Sequence, residues 1–517
     1  MKKYLLNRYE LLLFIIVLFI AFGANQTFLS KMYQFASVES NTSILWFSPF
    51  ILVLLLFSAL HVVLIPFSKS VSKLLIALLL LISALCAYFI DSFGTIIDKD
   101  MITNMLETDT AEVLDLFTLK LFLYLIFLFF LPSAIFWQTR FEKEEIFKGF
   151  IKRAIVAFLL LVVVSGVYMS VSKSYSSFFR NHKELKMYLN PYYPIASSVK
   201  YVQAFFKADI TIKPIAQDAK KAANSKPRVM IFVLGETQRA ANFSLNGYTQ
   251  LTNPLLGKRE DIISFTNFYS CGTATAVSVP CMFAKFGHDA WSDDKKYYEN
   301  IIDVLQKVGT KIIYRDNNSG GSKGIADRVK DVKYWWGKEY DSILLQDLEE
   351  NLANISSDTF ILLHVEGSHG PTYFKRYSDN YRYFKPTCDT QDLEKCTQEM
   401  IVNTYDNTIV YADFIINETI EALKKYEKEY AVALWFISDH GESLGENGIY
   451  LHGLPYFIAP DTQKHVPSVL YVGDVQRYKA LKQKEQQAYS HDNIFHTILG
   501  FYGVQTNEYD RKLDMLR

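Results

Sequence analysis

Cysteine is scarce in this chain, five in 517 residues; none stands in a CxxC spacing, and no histidine falls inside either close pair. A structural zinc site built on thiolates is therefore the weaker reading of these cysteines. An excess of either charge is also missing, since 54 Lys+Arg balance 54 Asp+Glu for a formal net charge of zero. That balance argues against a partner such as nucleic acid held through bulk positive charge, and against a disordered acidic tail. No repeat with a period of roughly 20–50 residues is visible, which sets aside solenoids and propellers.

Apolar and aromatic residues are abundant instead: half the residues are hydrophobic and 15% are aromatic, against 21% charged. Their distribution is uneven. Long apolar runs crowd residues 1–172, and the remainder alternates like a soluble α/β protein. Five stretches are long enough to cross a bilayer, which takes about 20 residues of helix: 10–29, 44–66, 71–91, 118–137 and 151–171. The first offers no small-x-small cleavage site between Gly23 and Asn25, so it reads as a retained helix. Basic residues gather on alternate loops, as Lys2, Lys3 and Arg8, then Lys69 and Lys73, then Arg140, Lys143, Lys148, Lys152 and Arg153. The loops between them hold Lys31 and Lys99 beside acids from Asp98 to Asp115. This bias predicts a cytoplasmic N-terminus and an external C-terminal domain. The spans carry few ionisable groups besides His61, so the ring is expected to hydrogen-bond within the bundle rather than line an ion path.

The division this suggests is a five-helix membrane domain over 1–172, a connector over 173–226 and a soluble domain over 227–517. Residues 186–207 of the connector mix Tyr and Phe with Lys186, Lys200 and Lys207. Such a segment suits a bilayer interface, and equally a helix packed on the soluble domain; 215–227 reads as a polar hinge. Cys86 falls in an apolar run and is expected to be unpaired. The other cysteines form two local pairs, Cys271/Cys281 and Cys388/Cys396. Three connectivities are open to four cysteines, and the short separations favour neighbours, in keeping with an oxidising compartment.

In the soluble domain, four short apolar runs each end in a polar cluster. Residues 228–234 run into Gly235-Glu236-Thr237, and 311–314 into Arg315-Asp316-Asn317-Asn318-Ser319. Residues 359–365 run into Glu366-Gly367-Ser368-His369, and 432–438 into Asp439-His440-Gly441-Glu442. Helical patterns at 299–308, 341–353 and 400–424 alternate with them, which predicts a mostly parallel sheet flanked by helices. Ligands bind beyond the carboxyl ends of parallel strands, so the four clusters are expected to face one crevice. Carboxylate and imidazole without thiolate suit zinc in a catalytic site. A hydroxyl nucleophile is offered by SCGTATAVSVPCMF (270–283), in Thr273, Thr275 and Ser278. A divalent cation would make such a hydroxyl reactive at neutral pH, and helix amides would stabilise its anion if Thr275 begins a helix. The same segment also fits a plain helix cap inside a disulfide loop.

GETQRAANFSLNGY (235–248), CGTATAVSVPCMF (271–283), GSHGP (367–371) and SDHGESLGENGIYLHG (438–453) closely resemble the phosphoethanolamine transferases of Gram-negative bacteria. That family includes lipid A modifiers that confer resistance to polymyxin and colistin. The resemblance covers essentially the whole chain and implies five transmembrane helices, an interfacial linker and an alkaline-phosphatase/sulfatase-like periplasmic domain on the inner membrane. It implies that Glu236, Thr275, Asp439 and His440 coordinate one catalytic zinc, with Thr275 as nucleophile. His369 and His452 would line the site, holding phosphate or a second zinc, with a histidine serving as acid or base. Asn318, Ser319, Lys323 and Glu442 would surround the phosphoethanolamine group. The implied donor is phosphatidylethanolamine, which releases diacylglycerol and leaves a phosphoethanolamine-Thr275 intermediate. The implied acceptor is lipid A, lipooligosaccharide or another envelope component, such as a glycan or surface protein. A monomer is expected.

One loop departs from the family pattern. Many members carry another cysteine pair in the segment that here reads DNNSGGSKGIAD (316–327), where Ser322 and Ala326 stand instead; a more mobile loop is expected. His491 and Asp492 are assigned to packing or helix capping. Two rival readings are a phosphoglycerol transferase of the same architecture and a non-catalytic receptor for lipid headgroups. A sulfatase would need a CxPxR- or SxPxR-type segment, whereas Pro280 precedes Cys281 and no arginine follows closely.

Overall fold

The computed structural model describes residues 8–107, 116–139, 145–207 and 210–517. Of the charges behind the predicted orientation, Lys2, Lys3, Arg140, Lys143, Asp109, Glu112 and Asp115 lie outside the described residues. The chain divides into two compact units, Met1–Lys99 with Phe117–Tyr201, and Asp100–Leu116 with Val202–Arg517.

Along the first part of the chain, α1 (Tyr9–Gly23) and α2 (Gln26–Val38) meet at an angle of 60°. They are followed by α3 (Thr42–Leu64), α4 (Lys69–Phe93), the short α5 (Lys99–Glu107), α6 (Leu119–Gln138), α7 (Ile146–Asn181) and α8 (Tyr192–Lys207). Four of these, α3, α4, α6 and the Phe147–Ser172 stretch of α7, are long and apolar enough to cross a membrane, and the bent pair would be a fifth. The helix expected over 10–29 is broken at Asn25. Its buried amide donates to the carbonyls of Ile20 and Asn190 at 2.9 and 2.7 Å and accepts the Asn190 N–H at 2.9 Å. The Asn190 side chain in turn donates to the carbonyls of Ala24 and Ser83, at 2.9 and 2.8 Å. Buried amides demand such partners, and here they pin the bend to α4 and to the turn ahead of α8. His61 bonds within the helices, to the Phe57 carbonyl and the Glu10 carboxylate, each at 2.8 Å. Helix α7 runs through residue 172 to Asn181, so the expected end of the membrane domain falls inside a helix.

The second unit is built on seven strands: β1 (Arg228–Gly235), β2 (Ile262–Phe265), β3 (Lys311–Asp316), β4 (Asp331–Tyr334), β5 (Thr359–His364), β6 (Ala431–Ser438) and β7 (Ser468–Val472). They form one sheet in the order β2-β7-β6-β1-β5-β3-β4. Neighbours from β6 through β4 are parallel, and β7 runs antiparallel to both β6 and β2. The sheet is thus mixed at one edge. No long helix separates β6 from β7, so the chain returns beside β6 in the opposite sense.

Every residue of β1 is buried, and its side chains alternate between two cores. Met230, Phe232 and Leu234 join Trp435 and Ile498 on one face, while Val229, Ile231 and Val233 join Phe436 and Tyr405 on the other. This is the pattern of a strand covered on both sides. The helices of this unit include α9 (Thr275–Met282), α10 (Ile301–Lys307), α11 (Leu348–Ala353), α12 (Gln398–Lys424), α13 (Val475–Lys482) and α14 (Asp492–Tyr502). The helix expected over 341–353 begins instead as a 3-10 turn, Asp341–Leu345. Asp341 is buried there, and its carboxylate accepts from the Asn317 amide and the N–H groups of Glu366 and Gly367 at 2.8, 2.8 and 3.0 Å.

Asp413 on α12 carries a pH dependence. It is buried, and its carboxylate accepts the N–H groups of Leu255 and Leu256 at 2.8 and 3.1 Å. Burial pushes its pKa up to about 7 against the opposing effect of those groups. The folded protein therefore binds this proton more tightly than the unfolded chain, where aspartate titrates near ~4. Stability falls as pH rises through that interval. Asp413→Asn should lower Tm, because one N–H loses its acceptor at a cost of roughly 1–3 kcal/mol. Thermal denaturation at about pH 5 and about pH 8 should show a smaller fall in Tm between the two for the variant than for the wild type.

Candidate active site

Strands β6, β1, β5 and β3 lie side by side in one direction, so the residues that follow them emerge together. The β1–β6 register ends at Gly235 opposite Ser438, which places Glu236 and Asp439 next to each other. Glu236, Asp439 and His440 are buried, and one ligand atom from each lies within 4.8 Å of the others. Among the described residues this is the only such group of three or more. Asp439 Oδ1 accepts the N–H groups of Thr237 and His440 at 3.1 and 2.7 Å. Its Oδ2, which has no hydrogen-bond partner among the described residues, lies 3.3 Å from His440 Nε2. His440 Nδ1 donates to the Gly441 carbonyl at 2.9 Å, so Nε2 keeps its lone pair and faces Glu236 Oε1 at 3.5 Å.

Burial holds the Asp439 carboxyl above the usual carboxylate range and the His440 imidazole well below its own. Both shifts are the mark of charge deprived of water. The residues fit a divalent cation, because a buried carboxylate oxygen with no other partner points into a cluster of oxygen and nitrogen donors. That donor set suits zinc.

Thr275 is the first residue of α9, with Oγ1 3.1 Å from Glu236 Oε1 and 3.2 Å from His440 Nε2. The other two candidate hydroxyls are engaged elsewhere: Thr273 donates to the Leu454 carbonyl at 2.6 Å, and Ser278 to the Asp439 carbonyl at 2.5 Å. Cys271 is bonded to Cys281 and Cys388 to Cys396, while Cys86 is unpaired and buried. His491 accepts the Cys271 N–H and donates to the Ser438 carbonyl, both at 3.0 Å, which ties the loop before α9 to the end of β6. Burial lowers its pKa to about 4, so the ring is neutral. Asp492 accepts the His288 N–H at 2.8 Å.

The remaining candidates fall around this centre. Asn318 donates to Glu236 Oε2 at 3.0 Å and to the Val365 carbonyl at 3.1 Å. Ser319 gives its N–H and hydroxyl to the Glu366 carboxylate, at 2.8 and 3.2 Å. Glu442 is fully buried and bonds the Tyr373 hydroxyl at 2.7 Å and His452 Nδ1 at 2.8 Å, so its carboxylate orients His452. The His452 ring centroid is 4.4 Å from that of His440 and 5.5 Å from that of His369. Among the described residues, no group of three ligands forms around His369 and His452 to hold a second ion. Burial, then the charges of His452, Arg376, His440 and Lys323, holds His369 well below the usual imidazole range. The Lys323 ammonium is turned to Glu107, 3.8 Å from its carboxylate. In the loop lacking the extra cysteines, Ser322 donates to Asp327 at 2.9 Å and Ala326 is buried.

Glu366 is expected in a strand-end cluster but with no role assigned, and Arg376 and Tyr373 are not anticipated. Glu366 pairs with Arg376 at 2.7 Å, and Arg376 Nε donates to the His369 carbonyl at 2.9 Å, so the pair joins the Ser319 and His369 loops. The place of Glu366 just past a strand was the available signal; the irregular segment around Tyr373 and Arg376 offered none.

Close backbone approach completes the site. Gly367 has a φ of +59°, and a Cβ there would lie 2.6 Å from the Glu236 carbonyl oxygen. Gly367→Ala should destabilise by roughly 1–3 kcal/mol and displace Glu236. Thermal denaturation checks this: Tm should fall, and an unchanged value would contradict the contact.

Residues 52–205 match the family model described as phosphoethanolamine transferase EptA/EptB, and residues 228–504 match the sulfatase model. The chain is 38% identical to phosphoethanolamine transferase EptA of Escherichia coli (strain K12) over 549 aligned positions, which cover 100% of this chain and 99% of that one. Identity to phosphatidylethanolamine transferase Mcr-1 of Escherichia coli is 34%, over 97% of this chain and 96% of that one. In structure the chain is similar to the integral membrane lipooligosaccharide phosphoethanolamine transferase A (EptA) of Neisseria meningitidis, with a TM-score of 0.92, 33% identity, and 98% and 97% of the two chains covered. Likeness of this extent runs through the apolar helices as well as the sheet, and the chain belongs to the phosphoethanolamine transferase family.

Proposed function

We propose that this protein moves phosphoethanolamine from phosphatidylethanolamine to lipid A or another envelope acceptor, with Thr275 as the nucleophile. The observation that carries this reading is the Thr275 hydroxyl, 3.1 Å from Glu236 and 3.2 Å from His440. Relatives named for phosphatidylethanolamine and for lipooligosaccharide support the same donor and a glycolipid acceptor.

Glu236, Asp439 and His440 would hold zinc, with Thr275 as a fourth ligand; bound there, the ion lowers the pKa of a neighbouring hydroxyl and polarises the phosphoryl group. Glu236 orients the Thr275 hydroxyl through its hydrogen bond, and His440, fixed by the Gly441 carbonyl, keeps the second side of that oxygen in place. The Thr275 oxygen forms the new bond to phosphorus, and the bond from phosphorus to the glyceryl oxygen breaks. Diacylglycerol leaves after its oxygen gains a proton. His452, oriented by Glu442, and His369, kept neutral by burial, would take the proton that the Thr275 hydroxyl releases and pass it to the leaving oxygen. An acceptor oxygen then attacks the phosphoethanolamine-threonine ester and regenerates the free hydroxyl. Asn318 and Ser319 line the centre through their bonds to Glu236 and Glu366, and Lys323 supplies positive charge for the phosphate.

The charge bias of the loops and the two disulfides support a cytoplasmic N-terminus and a periplasmic catalytic domain in the inner membrane. Each group transferred adds an ammonium to an anionic surface, which weakens its attraction for cationic peptides such as polymyxin.

Thr275→Ala should leave Tm unchanged and abolish both transfer and the covalent adduct. Mass spectrometry that finds the adduct retained, or on Thr273, would refute the assignment. Removal of metal by a chelator should stop diacylglycerol release, and zinc should restore it; full turnover by metal-free protein would rule out the zinc role.

A further inference from the structure

Lys323 lies in a loop rich in glycine and has a φ of +48°, a left-handed backbone uncommon for a residue with a side chain. Its side chain is only 6% exposed. A Cβ on Gly320 would fall 3.2 Å from the Lys323 ammonium and 3.0 Å from Asn318 Oδ1. The ammonium therefore stands beside the asparagine that donates to Glu236, and glycine at 320 is what leaves it room.

The group that holds this ammonium comes from elsewhere in the chain. Lys323 Nζ donates to the backbone carbonyl of Glu107 at 3.2 Å, and the Glu107 carboxylate lies 3.8 Å away. Glu107 lies in helix α5, and both its carbonyl and its carboxylate face the ammonium. The same carboxylate is 3.9 Å from Lys296. Two ammonium groups thus share one carboxylate.

The Glu107–Lys296 contact, between groups 36% and 34% exposed, contributes little to stability. The contact with Lys323 fixes orientation: a lysine stem is free about several bonds, and here one end is set by a left-handed backbone and the other by Glu107.

We propose that Glu107 is a positioning residue for donor binding, which holds the Lys323 ammonium ready for the phosphate of the lipid headgroup. The inference rests on the transferase reading above and adds to it a determinant in the segment between α4 and α6. An ammonium beside Asn318 attracts a phosphodiester, and Glu107 keeps it from folding away.

The test uses the full-length protein with phosphatidylethanolamine in mixed micelles and follows diacylglycerol release. Glu107→Gln should raise KM about threefold to fivefold with kcat changed less than about twofold and Tm unaltered. Glu107→Asp should recover most of that loss. Lys323→Ala combined with Glu107→Gln should be no worse than Lys323→Ala alone, since the carboxylate acts through the ammonium. An unchanged KM in Glu107→Gln, a fall in kcat instead, or additive losses in the double variant would overturn the proposal. Wild-type protein that releases no diacylglycerol would sink the donor reading itself, and this inference with it.

Discussion

Two carboxylates and an imidazole cannot share a dry pocket at ligand distances unless something positive or strongly polar answers them. In this protein part of the answer is peptide: Asp439 takes two backbone N–H groups on one oxygen, and His440 is turned by the carbonyl of the next residue. The second Asp439 oxygen takes no hydrogen bond among the described residues and lies within a group of three side chains that could hold a metal ion. The architecture of the sheet follows from this demand. Parallel strands deliver the ligands from distant parts of the chain to one edge, and the glycines after them let loops approach to backbone contact. Gly441 is the extreme case, for a Cβ there would sit 2.1 Å from the Thr462 carbonyl oxygen.

A second layer governs the rings. His452 is fixed by Glu442, which is itself held by Tyr373, and His491 bridges the disulfide loop to the end of β6. Ser278, three residues beyond Thr275 on α9, donates to the Asp439 carbonyl. Helix α9, which begins at Thr275, and the turn that carries Asp439 and His440 are therefore joined by a hydroxyl, so that a shift of one moves the other.

Much of this was legible in the sequence for a physical reason. Strands β1, β5 and β6 are buried on both faces, so they read as unbroken apolar runs, and their functional residues follow at once in polar clusters. Where the determinant is a partner far away in the chain, the sequence is silent. The break at Asn25 depends on a peptide 165 positions later, and the setting of Lys323 on one 216 positions earlier. The reversal of β7 depends on the path of a loop, which leaves no periodic trace. Glu442 shows a subtler limit: its motif implies contact with substrate, whereas its hydrogen bonds go to Tyr373 and His452. The spacing of a motif places a side chain near the chemistry without saying which way it faces.

The Asn25–Asn190 clasp has a further consequence, for the order in which the helices can settle. Asn25 takes its partners from a residue 165 positions later, so the bend between α1 and α2 is completed only once the turn ahead of α8 has been made. An early helix therefore waits, its amide in want of partners, until the last of its bundle has been synthesised.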